Sequence, residues 1–182
     1  MRVIAGELKG RQLKAPKWEG LRPTSDRLRE TLFDILGPAV RGARVLDGYA
    51  GTGANGIEAL SRGAAHVTFV DNDARAVRLI EENAARLLPD ARERYAIIRA
   101  GVADALRRAA GPFDLVILDP PYAPDAVADA LDAAAAAGGP GTRAIVEHAR
   151  RYAAPPSHGK WTLDRSVTAG DSVLSFFRAQ RG

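Results

Sequence analysis

The segment Asp119-Pro120-Pro121-Tyr122 closes the apolar run Leu115-Val116-Ile117-Leu118. One carboxylate, two consecutive imino acids and one aromatic ring at a strand tip suit the holding of a flat amine. The Asp119 carboxylate and the carbonyls beside the prolines can accept hydrogen bonds from an NH2 group. Proline holds φ near −65° and carries no N–H, so those carbonyls are aimed stiffly and without a competing donor. Tyr122 offers a face on which a planar base can stack. The plainer alternative is a strand ending in a Pro-Pro turn.

A second set of residues could hold the other reactant. Asp47-Gly48-Tyr49-Ala50-Gly51-Thr52-Gly53-Ala54-Asn55-Gly56 follows a short apolar run, and residues 51–56 match G-x-G-x-x-G. Such glycines let the backbone turn sharply and approach a ligand at a helix N-terminus. The match fits NAD, FAD or S-adenosylmethionine, or only a tight turn. Asp71 stands twenty residues after Gly51, at the end of the next apolar run, where a carboxylate can reach a ribose diol. Asp104 follows the run after that and could accept from an adenine amine, or merely cap a helix. Asp47, Asp71, Asp104 and Asp119 thus end or closely follow four successive strand candidates. Four carboxylates around one crevice disfavour a pyrophosphate and suit a cation. S-adenosylmethionine carries a sulfonium and an ammonium, so electrostatics prefer it to NAD.

A sulfonium methyl donor beside a pinned amine gives N-methyl transfer. The exocyclic amine of a nucleobase is a poor nucleophile, because its lone pair is delocalised into the ring. Hydrogen bonds from its N–H groups to Asp119 and the Pro120 carbonyl would push the nitrogen toward a tetrahedral form. The rate gain would then come from positioning and electrostatics rather than from a strong base. The base must leave its stack to enter, and Tyr122 would repay part of that cost.

These residues need elements to position them. From Ala43 onward the sequence alternates strand candidates (43–47, 66–71, 95–99, 113–119, 143–148) with helix candidates (55–62, 74–88, 102–109, 125–137). That alternation predicts a doubly wound α/β fold with a parallel sheet. Near-continuous runs such as Leu115-Val116-Ile117-Leu118 fit strands buried on both faces. Residues 161–168 and 172–178 are separated by Ala169-Gly170-Asp171 alone, which predicts a hairpin. The sheet is therefore expected to be mixed and seven-stranded, with a C-terminal antiparallel hairpin. Before it, residues 2–5 and 12–14 read as a small hairpin around Gly6 and Gly10, and a helix is expected over 24–36, capped by Thr24 or Ser25. The expected division is an N-terminal basic extension, 1–42, and a catalytic domain, 43–182.

Composition narrows the function classes. The 182 residues suit an ordinary single core, and the absence of cysteine excludes disulfides and fits a cytoplasmic location. His66, His148 and His158 show no ligand spacing, so no metal is expected. No apolar stretch is long enough to span a membrane. Residues 1–44 hold ten Lys/Arg and five Asp/Glu, whereas the remainder holds sixteen and seventeen. The positive excess is confined to the first quarter, which suits a polyanion-binding arm.

The sequence resembles the RsmD family of bacterial 16S rRNA guanine-N2 methyltransferases along nearly its whole length. The most specific parts are Arg2-Val3-Ile4-Ala5-Gly6 with Gly10-Arg11, and Leu21-Arg22-Pro23-Thr24-Ser25-Asp26-Arg27-Leu28-Arg29-Glu30-Thr31-Leu32-Phe33. To these are added Gly56-Ile57-Glu58-Ala59-Leu60-Ser61-Arg62-Gly63-Ala64 and Asp119–Tyr122. The resemblance implies a Rossmann-like class I methyltransferase fold with S-adenosylmethionine as cofactor. It also implies 16S rRNA as partner, in an assembled or assembling small subunit; a monomer is expected. On that reading Asp47, Tyr49, Ala50, Gly51, Gly53, Asp71, Asn72, Asp104 and Ala105 hold the cofactor. Asp119, Pro120, Pro121 and Tyr122 hold the base, and Lys9, Arg11, Lys14, Arg22, Thr24 and Arg27 meet RNA. The chain departs from the family at Gly48-Tyr49, at Asn55, where leucine is usual, and at Ala169-Gly170-Asp171. The rival readings are a DNA amino-methyltransferase, a nicotinamide-dependent oxidoreductase and a non-catalytic RNA-binding protein.

Overall fold

The computed structural model describes residues 1–21 and 24–181; Arg22, Pro23 and Gly182 lie outside the described residues. Five parallel strands form the heart of the sheet: β1 (Arg44–Gly48), β2 (His66–Asp71), β3 (Tyr95–Arg99), β4 (Leu115–Leu118) and β5 (Arg143–Ala149). Three antiparallel strands complete it, β6 (Ser157–His158), β7 (Trp161–Ala169) and β8 (Ser172–Ala179), in the order β3-β2-β1-β4-β5-β8-β7-β6. The hairpin expected from Ala169-Gly170-Asp171 is the β7–β8 pair. Among the described residues the count is eight rather than seven because β6 adds two residues to the edge. A two-residue strand beside Pro155-Pro156 is too short to show a period.

Period-two alternation divides the strands between two apolar layers. Val45, Val67, Phe69, Leu115 and Ile117 face one layer, while Leu46, Val70, Val116 and Leu118 face the other. The first layer receives α2 (Ala54–Ser61) and α3 (Ala74–Leu87); the second receives α4 (Val102–Arg108) and α5 (Ala126–Ala133). The helix expected through 137 stops at Ala133. There the chain turns so that the Ala137 carbonyl accepts the Phe113 N–H at 2.9 Å, at the entry to β4.

The N-terminal region packs on the first layer. Helix α1 (Asp26–Leu36) starts at Ser25, whose hydroxyl accepts the Leu28 N–H. Its Leu28, Leu32 and Phe33 are buried in the same cluster as Val3, Leu13, Ile57 and Leu60. The expected hairpin forms around the Arg2–Gln12 bridge, with Val3 N–H on the Arg11 carbonyl (2.9 Å), Gly10 N–H on the Val3 carbonyl (2.9 Å) and Leu13 N–H on the Met1 carbonyl (3.0 Å), but its pairing does not extend to Ile4 and Ala5. The reason lies in Glu58 of α2. Its carboxylate accepts Ile4 N–H at 2.8 Å and Ala5 N–H at 3.1 Å, so those groups do not pair across strands. The same carboxylate meets the fully buried Arg29 (3.4 Å) and Arg62 (2.9 Å). Ser61 donates to the Ala5 carbonyl and accepts from Leu8 N–H. Gly6, at φ +85, sits where a Cβ would fall 1.9 Å from the Ser61 carbonyl oxygen. The Glu58-Ala59-Leu60-Ser61-Arg62 segment is thus the clamp for the first residues of the chain. A buried ion pair of this kind adds little net stability, because desolvation offsets its Coulomb gain.

Candidate active site

Strand order reverses at β1, which lies between β2 and β4, and a crevice opens there at the carboxyl ends of the strands. A cleft of about 500 Å³ occupies it. The turn after β1 forms one wall. Gly51, at φ +58, and Gly53, at φ +81, bend this turn into α2. The loop is tied down from below and from the side. Asp47 turns beneath it to accept Gly56 N–H at 2.9 Å, and Asp71 at the tip of β2 accepts Gly51 N–H at 2.9 Å and Asp73 N–H at 2.9 Å. Burial pushes the Asp47 carboxyl up to about 8, against the Gly56 bond, with the nearby Asp71 charge adding to the rise.

The opposite wall is the tip of β4. Asp119 is half-buried there, and Thr24, just before α1, sets its hydroxyl between two carboxylates. Thr24 Oγ1 lies 3.2 Å from Asp119 Oδ2 and 3.2 Å from Glu147 Oε2, at the end of β5. Burial and the adjacent Glu147 charge hold the Asp119 carboxyl well above the usual carboxylate range, and the Thr24 bond opposes them. Tyr122 donates to Glu147 Oε1 at 3.3 Å and is hydrogen-bonded to Ser172 on β8. Its phenol is therefore anchored at the far end, leaving the ring on the cleft wall.

Of the residues expected to hold a cofactor, Tyr49, Ala50, Gly51, Asp71 and Asn72 line the cleft. Asp47, Gly53, Asp104 and Ala105 do not. Asp47 serves the loop from beneath, and Gly53 caps α2. Asp104 is exposed and paired with Arg107 on α4, and Ala105 is buried in the second apolar layer. Strand-tip counting missed this because Asp104 lies on a helix, where a turn of the axis redirects the side chain. Among the residues expected to meet RNA, Thr24 lies inside the cleft rather than on the arm's surface. Lys9, Arg11, Lys14 and Arg27 are exposed, Lys14 being paired with Glu82 at 3.1 Å. Arg22 lies outside the described residues.

Several cleft residues were not read from the sequence. Glu147 was legible only as another acid at a strand end. Trp18, stacked under Arg75 at 5.0 Å, and Leu21, beside Gly51, bring the N-terminal arm over the glycine loop. Asn55, 8% exposed, has an Oδ1 with no hydrogen-bond partner among the described residues and borders the cleft.

A glycine loop with a strand-tip acid on one wall and the Asp119-Pro120-Pro121-Tyr122 segment on the other, set in this mixed sheet, defines a Rossmann-like methyltransferase fold. The family described as conserved hypothetical protein 95 matches residues 1–178, and the chain belongs to that family, which is the RsmD family its motifs resemble. Ribosomal RNA small subunit methyltransferase D of Escherichia coli K12 is 34% identical over 184 residues, spanning 99% of this chain and 90% of that one. The Bacillus subtilis protein YlbH is 35% identical, spanning 98% of each. The solved structure of Escherichia coli yhhF superposes with a TM-score of 0.84 at 30% identity, covering 100% of this chain and 99% of that one.

Among the described residues no helix is long and apolar enough to cross a membrane, and no group of His, Asp and Glu is arranged to hold a metal ion.

Proposed function

We propose that this chain methylates the N2 amine of a guanine in 16S rRNA of the small ribosomal subunit, in the cytoplasm, with S-adenosylmethionine as donor. The observation that carries this reading is the sharing of one cleft by the Asp119–Tyr122 wall and the glycine loop. The kinship with small-subunit rRNA methyltransferases supports the RNA substrate.

The cofactor supplies an electrophilic methyl group on a sulfonium. The donor set fits it: Asp71 and the acidic cleft suit a cation with a ribose, and the buried Asn55 Oδ1 lacks the donor that an ammonium would provide. Tyr49, Ala50 and Asn72 complete that wall. Asp119 and the Pro120 carbonyl accept the two amine hydrogens, and Pro121 keeps the carbonyls stiff. Tyr122, fixed at its hydroxyl by Ser172 and Glu147, offers a ring whose plane is set before the base arrives. Such preorganisation is where the rate gain arises, since no group must be reordered during the step. Lys9, Arg11 and Arg27 form the RNA-facing charge of residues 1–42; Lys14 shares its charge with Glu82. Residues 43–182 carry the chemistry, with Thr24 of the preceding extension reaching into the cleft, and the enzyme works as a monomer.

The test is transfer of labelled methyl groups from S-adenosylmethionine to unmodified small subunits, naked rRNA and DNA in parallel, with the modified nucleoside identified. Label on a guanine N2 in the subunit is expected. Label in DNA alone would assign a DNA amino-methyltransferase. A melting temperature raised by NAD and not by S-adenosylmethionine would assign an oxidoreductase.

A further inference from the structure

Asp119 and the two prolines explain how an amine is held but not which base carries it. Adenine, cytosine and guanine all present an exocyclic NH2, and a single carboxylate with carbonyls accepts from any of them. The bases differ in the ring nitrogen beside that amine. In adenine and cytosine it is an acceptor; in guanine N1 carries a hydrogen. A second acceptor beside Asp119 would therefore select guanine, and would repel the lone pair that the other two bases present.

Such an acceptor is present. Glu147, at the end of β5, lines the same cleft as Asp119, and one hydroxyl, Thr24 Oγ1, lies 3.2 Å from an oxygen of each. Tyr122 donates to the other Glu147 oxygen at 3.3 Å, so the carboxylate is oriented from two sides. The residue that would stack the base thus also holds Glu147. We propose that Glu147 is the specificity-determining residue of the site, accepting the guanine N1–H while Asp119 accepts the N2 amine. This rests on the guanine-N2 reading above. Two carboxylates flanking one hydroxyl, 3.2 Å from each, form a paired acceptor edge, and guanine offers the matching paired donor edge.

The experiment uses the full-length enzyme and small subunits assembled on rRNA carrying either guanine or 2-aminopurine at the methylated position. 2-Aminopurine keeps the 2-amine but has no N1–H. The wild-type enzyme is expected to favour guanine in kcat/KM by on the order of 10–100-fold, the usual yield of a base-edge contact. In Glu147→Gln the preference should collapse to within about threefold, because the amide can turn its NH2 toward an unprotonated N1. Glu147→Ala serves as the second variant and should also lose the preference. Each ratio is taken on one preparation, so loss of folded enzyme cancels. A wild-type-sized ratio in both variants, with the two rates falling together, would overturn the proposal and leave Glu147 a purely structural acid. Equal use of guanine and 2-aminopurine by the wild type would overturn it as well. Absence of label from any guanine N2 in the wild-type arm would instead remove the functional reading itself, before any variant is compared.

Discussion

Replacing Thr24 with valine keeps the shape of the side chain and removes one hydroxyl from between two acids. In the native protein that hydroxyl lies 3.2 Å from Asp119 Oδ2 and 3.2 Å from Glu147 Oε2. Its bond favours the ionised form of Asp119, against burial and the Glu147 charge. Removing it must make Asp119 hold its proton more tightly, and a protonated Asp119 loses an acceptor for the amine. Hydrogen bonds to charged groups contribute about 1.5–3 kcal/mol, and at this distance the lower end applies. Since about 1.4 kcal/mol is a factor of ten, Thr24→Val should lower kcat/KM at neutral pH by roughly tenfold. The loss should be regained as the pH rises, because the acid limb of the profile moves upward. That limb belongs to the Asp119–Glu147 pair rather than to one residue. The assay is methyl transfer to unmodified small subunits across the pH range, with a thermal melt of the variant at each pH. A profile lowered by the same factor at every pH, with its acid limb in place, would refute the electrostatic argument and leave Thr24 a packing residue.

Asp119→Ala should reduce turnover almost completely while S-adenosylmethionine affinity, measured by calorimetry, stays within a few fold. Gly56→Ala would place a Cβ 2.2 Å from Phe69 Cε1 and 2.8 Å from Val67 Cγ1, both in the first apolar layer. Overpacking of this kind costs about 1–3 kcal/mol, so the melting temperature should fall by roughly 2–12 °C. Gly101→Ala, with open space around its Cβ and φ −67, should melt within a degree or two of the wild type. Asp47, held up to about 8, keeps its proton in the native state over a pH window in which the unfolded chain has lost it. Native stability from this group is therefore full below the ordinary carboxylate range and lost as pH rises toward 8, with a limiting slope of about 1.4 kcal/mol per pH unit. Asp47→Asn should be more stable than the wild type at pH 8 and lose that margin toward pH 4, as read by denaturant titration. Removing the charge of Arg11 or Arg27 should flatten the dependence of log affinity for rRNA on log salt by somewhat less than one unit each. Lys14→Ala should flatten it less, because its charge is shared with Glu82.

Much of this protein was legible along the chain. Strand and helix periods are local, so the βα alternation, the terminal hairpin and the start of α1 at Thr24 or Ser25 came directly from residue order. Asp119–Tyr122 was legible because two prolines stiffen the backbone wherever they stand. The glycine loop was legible because Gly51 and Gly53 adopt φ values that other residues avoid. Other features depended on what lay across space. Ile4 and Ala5 read as strand, yet their N–H groups go to Glu58, more than fifty residues away. Asp47 and Asp104 read as cleft acids, yet one props the glycine loop from below and the other faces solvent on α4. Thr24 read as a helix cap or an RNA contact, yet it sits between Asp119 and Glu147. The residue types and their local periods determined the elements and both walls of the cleft, because backbone preferences act within a few residues. Only the folded chain decided which acids share the cleft. That depends on strand order, which brings β5 beside β4 and the arm across both, and no local signal encodes such distances.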